Sequence, residues 1–575
     1  MKLKQGLTLT FLTASVAIPS AWAAPIDVVE TTITDIQNAL RSGATSPAEV
    51  TQSYLDRIAV YDPAAARASD ALGRTFYGFN SYAHVNARAL ADAAASDPAG
   101  LLYGVPVVLK DNIDTADMPT TAGSVALSGS LPLDDAFITG KLRAAGAIIL
   151  GKASLTEYAN FLTNGMPTGY SSLFGYGYNP YDPRPDPRTT LDAFGRPLND
   201  GRPVLMTGGS SSGPGIAVAA NLAAVGIGTE TSGSILSPGT QNMLVGIKPT
   251  LGLVSRDGII PIAADQDTAG PLARTVRDAA IVLGVIAGFD PKDPETFACQ
   301  RPNNCFSDYT QFLDPNALVG ARIAVPPFPA NRADIINNAI AVMRAQGATV
   351  ELVPALAPQL PGCPTTPLAT TYPPSYGPPP GATLRCSTVL LYAFKRDLNN
   401  YFATNISPLA PIRSLADVIA FNTAHVADVP SSIKYGQDLA LFSQRMNTGL
   451  SSRDTSRYLV DRNEDITRSR AAITTALNGP DGLANTADDY AALLFSGNSG
   501  AATPAKAGFP SIVVPGGFVD TSSPTLPLDF APLPSPAGVT FSGRAFSEPR
   551  LIALAYAFEQ ATKYRVSPPS APALQ

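Results

Sequence analysis

Two hydrophobic periods alternate along this chain. Residues 33–40 and 47–61 repeat apolar positions at helical spacing and predict two surface helices. Ser46 stands just before the second, with Glu49 three residues on, the pattern of a capping box. From Leu101 onward the character changes. Residues 102–109 form a mostly apolar run that predicts a buried strand, 135–145 return to helical spacing, and 147–150 predict another buried strand. The alternation continues with a helix at 216–222, a strand at 223–227 and a helix at 275–286. Further on come a strand at 322–325, a helix at 333–345 and a strand at 349–353. Strands and helices alternating at these lengths predict an α/β fold with a mixed, largely parallel central sheet flanked by helices. Residues 175–202, with Pro180, Pro183, Pro185, Pro187 and Pro197, read as a long loop, and so do residues 520–536.

Composition narrows the function classes. The chain has 575 residues, 45% hydrophobic and 15% charged, with a formal net charge of −6. That balance excludes a disordered chain. It supplies no basic excess to displace counterions from phosphates, so no nucleic-acid partner is expected. Only two histidines are present, His84 and His425, which leaves little room for mechanisms built on several imidazoles. No Cys-x-x-Cys or His-Glu-x-x-His pattern occurs, and nothing calls for a metal or another cofactor.

The N-terminus reads as an export signal. Lys2 and Lys4 precede an apolar run from Leu7 to Ile18, which is too short to span a bilayer core of roughly 30 Å. Ala21-Trp22-Ala23 then predicts cleavage after Ala23, so residues 1–23 are expected to be removed. The mature protein is expected to be secreted or periplasmic, free of the membrane, with residues 24–575 as one domain. Export makes disulfides expected among the four cysteines. Three pairings exist, and the two local ones, Cys299 with Cys305 and Cys363 with Cys386, are favoured. The second would clip a Pro-rich stretch within an insertion around 299–386, restricting the unfolded chain by roughly 3 kcal/mol.

The sharpest local feature is Gly208-Gly209-Ser210-Ser211-Ser212-Gly213, followed by Pro214 and an alanine-rich helix. Proline is tolerated in a first helical turn, so three hydroxyls stand at or near a helix N-terminus. A second small-residue turn follows from Gly228 to Ser234. The helix runs about 15 Å away from the first turn at 1.5 Å per residue, and the strand returns about 20 Å at 3.3 Å per residue. Ser234 is thereby delivered to the same end of the sheet as Ser210. Its turn can aim several N–H groups at one point, as an oxyanion hole requires. Neither turn matches a phosphate-binding loop. Lys110 ends the apolar run at 104–109, an unusual place for a charge. It either snorkels to water, pairs with Asp111 or is depressed by burial. Moving it to near 7 takes about 5 kcal/mol at 1.36 kcal/mol per unit. A neutral amine there is a competent general base.

Taken together these segments resemble the amidase signature family, nearest its peptide amidase-like branch. The matching text runs through residues 104–115, 208–213, 226–235, 245–250 and 267–271, and closes with 507–516, 541–543 and 555–560. The resemblance implies the amidase signature fold and a small-molecule amide substrate. It also implies a triad in which Ser234 is the nucleophile, Ser210 a bridging serine after a cis peptide bond, and Lys110 the base. The N–H groups of Thr231, Ser232, Gly233 and Ser234 would form the oxyanion hole. Glu230 stands where aspartate is frequent in the family, Ser232 where glycine is frequent and Leu236 where arginine often follows. The 175–202 loop enters just before Ser210 and is expected to shape the acyl or amine pocket.

Other signals compete. Residues 209–213 also fit Gly-x-Ser-x-Gly, which would make Ser211 the nucleophile of an α/β-hydrolase-type esterase with His425 as base. Ser431-Ser432-Ile433-Lys434 fits Ser-x-x-Lys without a following Lys-Thr-Gly. Asp481, Asp488 and Asp489 lack EF-hand spacing and read as a solvated turn. A catalytically inactive binding protein is the alternative from another class. The favoured reading is an exported amidase, with ester hydrolysis as a side reaction.

Overall fold

The computed structural model describes residues 26–63, 78–357, 388–428, 432–521 and 523–574. The segment 1–23 expected to be a signal, Cys363 with Cys386, and Ser431 lie outside the described residues. Eleven strands form one sheet. From one edge they run Tyr82–Val85, Ile148–Ala153, Pro106–Lys110, Val225–Glu230, Thr268–Ala273, Val245–Lys248, Ser511–Val519, Ser535–Ser542, Ala492–Ser496, Arg322–Val325 and Thr349–Leu352. Pairing is mixed. Ile148–Ala153, Pro106–Lys110 and Val225–Glu230 run parallel, as do Ala492–Ser496, Arg322–Val325 and Thr349–Leu352. Antiparallel ladders join the two groups. The strands of the first parallel group are buried along their whole length, so they read as apolar runs rather than alternations.

Local chemistry sets the element ends. Ser46 caps Pro47–Tyr61 through the expected capping box with Glu49, and Thr32 with Asp35 does the same for Ile33–Arg41. The predicted strand at 102–109 begins only at Pro106, because residues 101–104 form a turn in which Gly104 has φ +67°. The predicted helix at 216–222 is Ser212–Ala219, four residues earlier at its start. Every one of its residues is buried, so no polar face marked its bounds. Arg322–Val325 and Ala333–Ala345 fall where the periodicity predicts them.

The main core surrounds this sheet. A second apolar cluster joins the helices Thr388–Thr404, Leu415–Ala424 and Asp438–Arg445 to the segment at 158–178. The 175–202 loop contains one two-residue strand, Gly175–Tyr176, and is otherwise irregular. Four local ion pairs staple it: Arg184 to Asp182, Arg188 to Asp186, Arg196 to Asp192 and Arg202 to Asp200. Cys299 and Cys305 form a disulfide, with Cα atoms 5.0 Å apart. No helix among the described residues is long and apolar enough to cross a membrane.

Candidate active site

Lys110 closes its strand between two parallel neighbours, and its side chain is fully buried. Its Nζ lies 2.7 Å from Ser210 Oγ, 2.8 Å from Thr229 Oγ1 and 3.3 Å from the Thr229 carbonyl. Asp111, the alternative partner, lies instead 3.6 Å from Lys152 and accepts the Thr121 hydroxyl. Consecutive residues of a strand point to opposite faces, which is why Lys110 and Asp111 part company. Burial pulls Lys110 down to about 7, while the charges of Asp267 and Glu230 oppose that shift.

The serine cluster comes to this point from the neighbouring helix. The Gly209–Ser210 peptide bond is cis. The Ser210 carbonyl accepts the Thr156 N–H at 3.1 Å. Ser211 spends its hydroxyl on the adjacent strand, donating to the Thr229 carbonyl at 3.0 Å and accepting the Thr229 N–H at 3.1 Å. That contact demands a close approach: a Cβ on Gly228 would lie 2.8 Å from Ser211 Oγ. The Ser211 N–H donates to the Ser234 carbonyl at 3.2 Å, which ties the two small-residue turns together.

The second turn leaves Val225–Glu230 and enters the short helix Leu236–Gln241. Glu230 is buried, and its Oε2 accepts the N–H of Ile235 at 2.7 Å and of Leu236 at 3.0 Å. Thr231 donates its hydroxyl to Asp267 Oδ1 at 2.5 Å. Gly233 adopts φ +88°, a left-handed conformation suited to glycine. Among the described residues, no backbone bond uses the N–H of Thr231, Ser232, Gly233 or Ser234. Ser232 is exposed, while Ser234 is only 8% exposed.

Lys110, Ser210 and the 231–234 turn are thus gathered at the ends of parallel strands. The competing signals are not. His425 bonds the Phe421 carbonyl through Nδ1 at 2.8 Å and stacks on the Phe421 ring at the end of its own helix. Ser211 has no hydroxyl proton to spare for it. Lys434 sits against the rings of Tyr170, Tyr176 and Tyr435 and 3.5 Å from Asp200, anchoring the long loop. Asp481, Asp488 and Asp489 each accept backbone N–H groups of their own turn. Sequence reasoning did not single out Thr229, Asn112 and Asp267. Asn112 donates to Thr229 Oγ1 at 3.1 Å and to the Ile260 carbonyl at 3.2 Å. Its position two residues beyond Lys110 was the available signal, since such residues share a face.

The sheet thus brings a buried amine, a serine hydroxyl and a turn whose N–H groups take no backbone bond among the described residues to one place. Comparison with known proteins gives the class of enzyme. The amidase family's sequence model matches residues 49–364. A probable amidase of Arabidopsis thaliana is 33% identical over 94% of this chain and 92% of its own length. The peptide amidase of Stenotrophomonas maltophilia is 36% identical in its solved structure, which has a TM-score of 0.71 and covers 94% of this chain and 98% of that one. An amidase family protein of Bacillus anthracis is 31% identical, with TM-score 0.75 over 94% of this chain and 92% of that one. The chain belongs to the amidase signature family and is an amide-hydrolysing enzyme.

Proposed function

We propose that this enzyme cleaves neutral carboxamides through an acyl-enzyme on Ser234, with Ser210 as the proton bridge and Lys110 as the base. The observation that carries the reading is the buried Lys110 amine 2.7 Å from Ser210 Oγ with hydroxyl and carbonyl partners around it. A neutral amine has two N–H groups and one lone pair. The Thr229 carbonyl can only accept, so it takes an N–H, and Thr229 Oγ1 takes the other. The lone pair is left for the Ser210 proton. After protonation the third N–H points to Ser210, and the same three partners satisfy the ammonium. Both states of the base are therefore accommodated without rearrangement.

In the forward step Lys110 accepts the Ser210 proton while Ser210 accepts that of Ser234. Ser234 Oγ forms a bond to the amide carbon, and the carbonyl oxygen becomes an oxyanion facing the N–H groups of residues 231–234. Collapse breaks the C–N bond, and the proton returns through Ser210 to the departing nitrogen. Water then attacks the acyl-enzyme by the same proton route and releases the carboxylic acid. Likeness to the peptide amidase along nearly the whole chain favours C-terminal carboxamides of short peptides as substrates, with ammonia as the leaving group. Aryl amides and simple carboxamides form the comparison set, and esters a side reaction. The sequence of the first 23 residues further supports export.

The test is a panel of peptide amides, aryl amides and esters run against the mature enzyme beside Ser234→Ala and Lys110→Ala. Both variants should lose turnover by about four orders of magnitude while keeping the parent's melting behaviour. Retained hydrolysis in folded Ser234→Ala refutes the assignment.

A further inference from the structure

We infer that two buried carboxylates, Glu230 and Asp267, are positioning residues that grip the 231–234 turn at its two ends and hold its N–H groups on the developing oxyanion. The inference rests on the reading of Ser234 as nucleophile. The turn lies between a strand and a short helix and has no ladder of its own. At its far end Glu230 reaches over it and takes the N–H groups of Ile235 and Leu236, the two residues directly after Ser234. At its near end Asp267 takes the Thr231 hydroxyl on Oδ1. Its Oδ2 takes the N–H groups of Ile262 at 2.8 Å and Ala263 at 2.9 Å, so the turn is moored to a second loop. Gln266 adds a bond from Nε2 to the Thr231 carbonyl at 3.2 Å.

Burying two carboxylates beside one turn is expensive, and capping alone does not require it. A serine or threonine would cap the short helix at lower cost. Glu230 even leaves its Oε1 buried without a partner. What a carboxylate adds is a charge that acts on the amine, and because burial raises Asp267 to about 7 its share grows in across that range. Asp267 and Glu230 are the two groups whose charges act on Lys110. Lys248 faces Glu230 from the next element, Arg256 faces Asp267, and Asp397 stands beyond Asp267. The grip on the oxyanion turn and the tuning of the base therefore run through the same two side chains.

Four variants test this on the mature enzyme with a peptide amide as substrate and a peptide aldehyde as transition-state mimic. Glu230→Ala and Asp267→Ala should each lower kcat about 100-fold, the scale of a lost oxyanion donor. Their KM should stay within about threefold, and aldehyde inhibition should weaken in step with kcat/KM. Glu230→Gln and Asp267→Asn keep shape but remove charge. Glu230→Gln should move the acidic limb of kcat/KM to lower pH, because losing a neighbouring negative charge favours the neutral amine, and Asp267→Asn should move it less, since burial already raises Asp267 to about 7. A folded alanine variant with kcat within threefold of the parent overturns the inference. So does aldehyde inhibition that stays unchanged while kcat falls. If the alanine variants fail to fold, Asp267→Asn decides, because its amide nitrogen cannot accept where the second carboxylate oxygen did, and kcat and aldehyde inhibition that both stay within threefold of the parent overturn the inference. Ser234→Ala separates the two levels. Activity surviving there removes the underlying mechanism, whereas a dead Ser234→Ala beside normal Glu230 and Asp267 variants removes only the clamp.

Discussion

Thr229→Val removes the hydroxyl that receives Lys110 Nζ at 2.8 Å and Asn112 Nδ2 at 3.1 Å, with little change in shape. The ammonium form of Lys110 has three acceptors around it and the neutral form uses two. Both lose one, but a bond to a charged donor contributes about 1.5–3 kcal/mol and one from a neutral donor about 0.5–1.5 kcal/mol. The ammonium therefore loses more, by about 1 kcal/mol, which at 1.36 kcal/mol per unit is about 0.7 of a pKa unit downward. The sign is then settled. In the proposed mechanism Lys110 works as a base when neutral, so kcat/KM should rise with pH through its value of about 7 and level off above it. In Thr229→Val the rise should come at lower pH by about half a unit to one unit. The plateau should fall about tenfold, because the lone pair is less firmly aimed at Ser210. The assay is ammonia release from a peptide amide between pH 5 and 9, with circular dichroism to establish folding. An acidic limb that stays in place, or moves to higher pH, rules out Thr229 as a holder of the proposed base.

Three further outcomes are expected. Arg57 is buried and donates to the carbonyls of Ala220, Asn221, Ala571 and Pro572, joining the end of the serine-bearing helix to the C-terminal tail. Arg57→Met should cost about 3 kcal/mol or more in denaturant unfolding, since it strands buried acceptors. Glu157 is buried against Ser172, and desolvation raises it to about 8. A carboxyl raised in the folded state stabilises fully below its unfolded value, and that contribution is lost as pH rises through about 8. Glu157→Gln should therefore gain thermal stability over the parent progressively between pH 5 and 8, and a constant gap would contradict this. A Cβ on Gly213 would lie 2.2 Å from the Ser154 carbonyl oxygen. Gly213→Ala should displace the serine cluster, lowering activity at least tenfold and stability by about 1–3 kcal/mol.

Much of this site was legible because its parts are local. A lysine at the end of an apolar run, a run of serines before a helix and a turn of small residues are each contained in a few consecutive positions. Chain lengths alone bring Ser234 back to Ser210, since a short helix outward and a short strand inward nearly cancel. Less of the second half was legible. The helices Thr388–Thr404 and Arg453–Leu477 and the strand Ala492–Ser496 were not anticipated. Their apolar faces are set by what they pack against rather than by an unbroken period.

The class of fold, the capped helices at the start and the residue types of the proposed site are readable from the chain alone. These follow from near-neighbour sterics, periodicity and the scarcity of histidine. Which partner each group has is set by packing. Asp111 and Lys110 are adjacent in the chain yet answer to different neighbours, because the pleat turns them to opposite faces. Ser211, in the middle of the serine run, is spent on the backbone of Thr229, while Ser210 faces the amine. The field that the amine feels comes from Asp267 and Glu230, whose distances from Lys110 depend on strand register and burial. Register and desolvation are properties of the packed sheet, and no local pattern carries them.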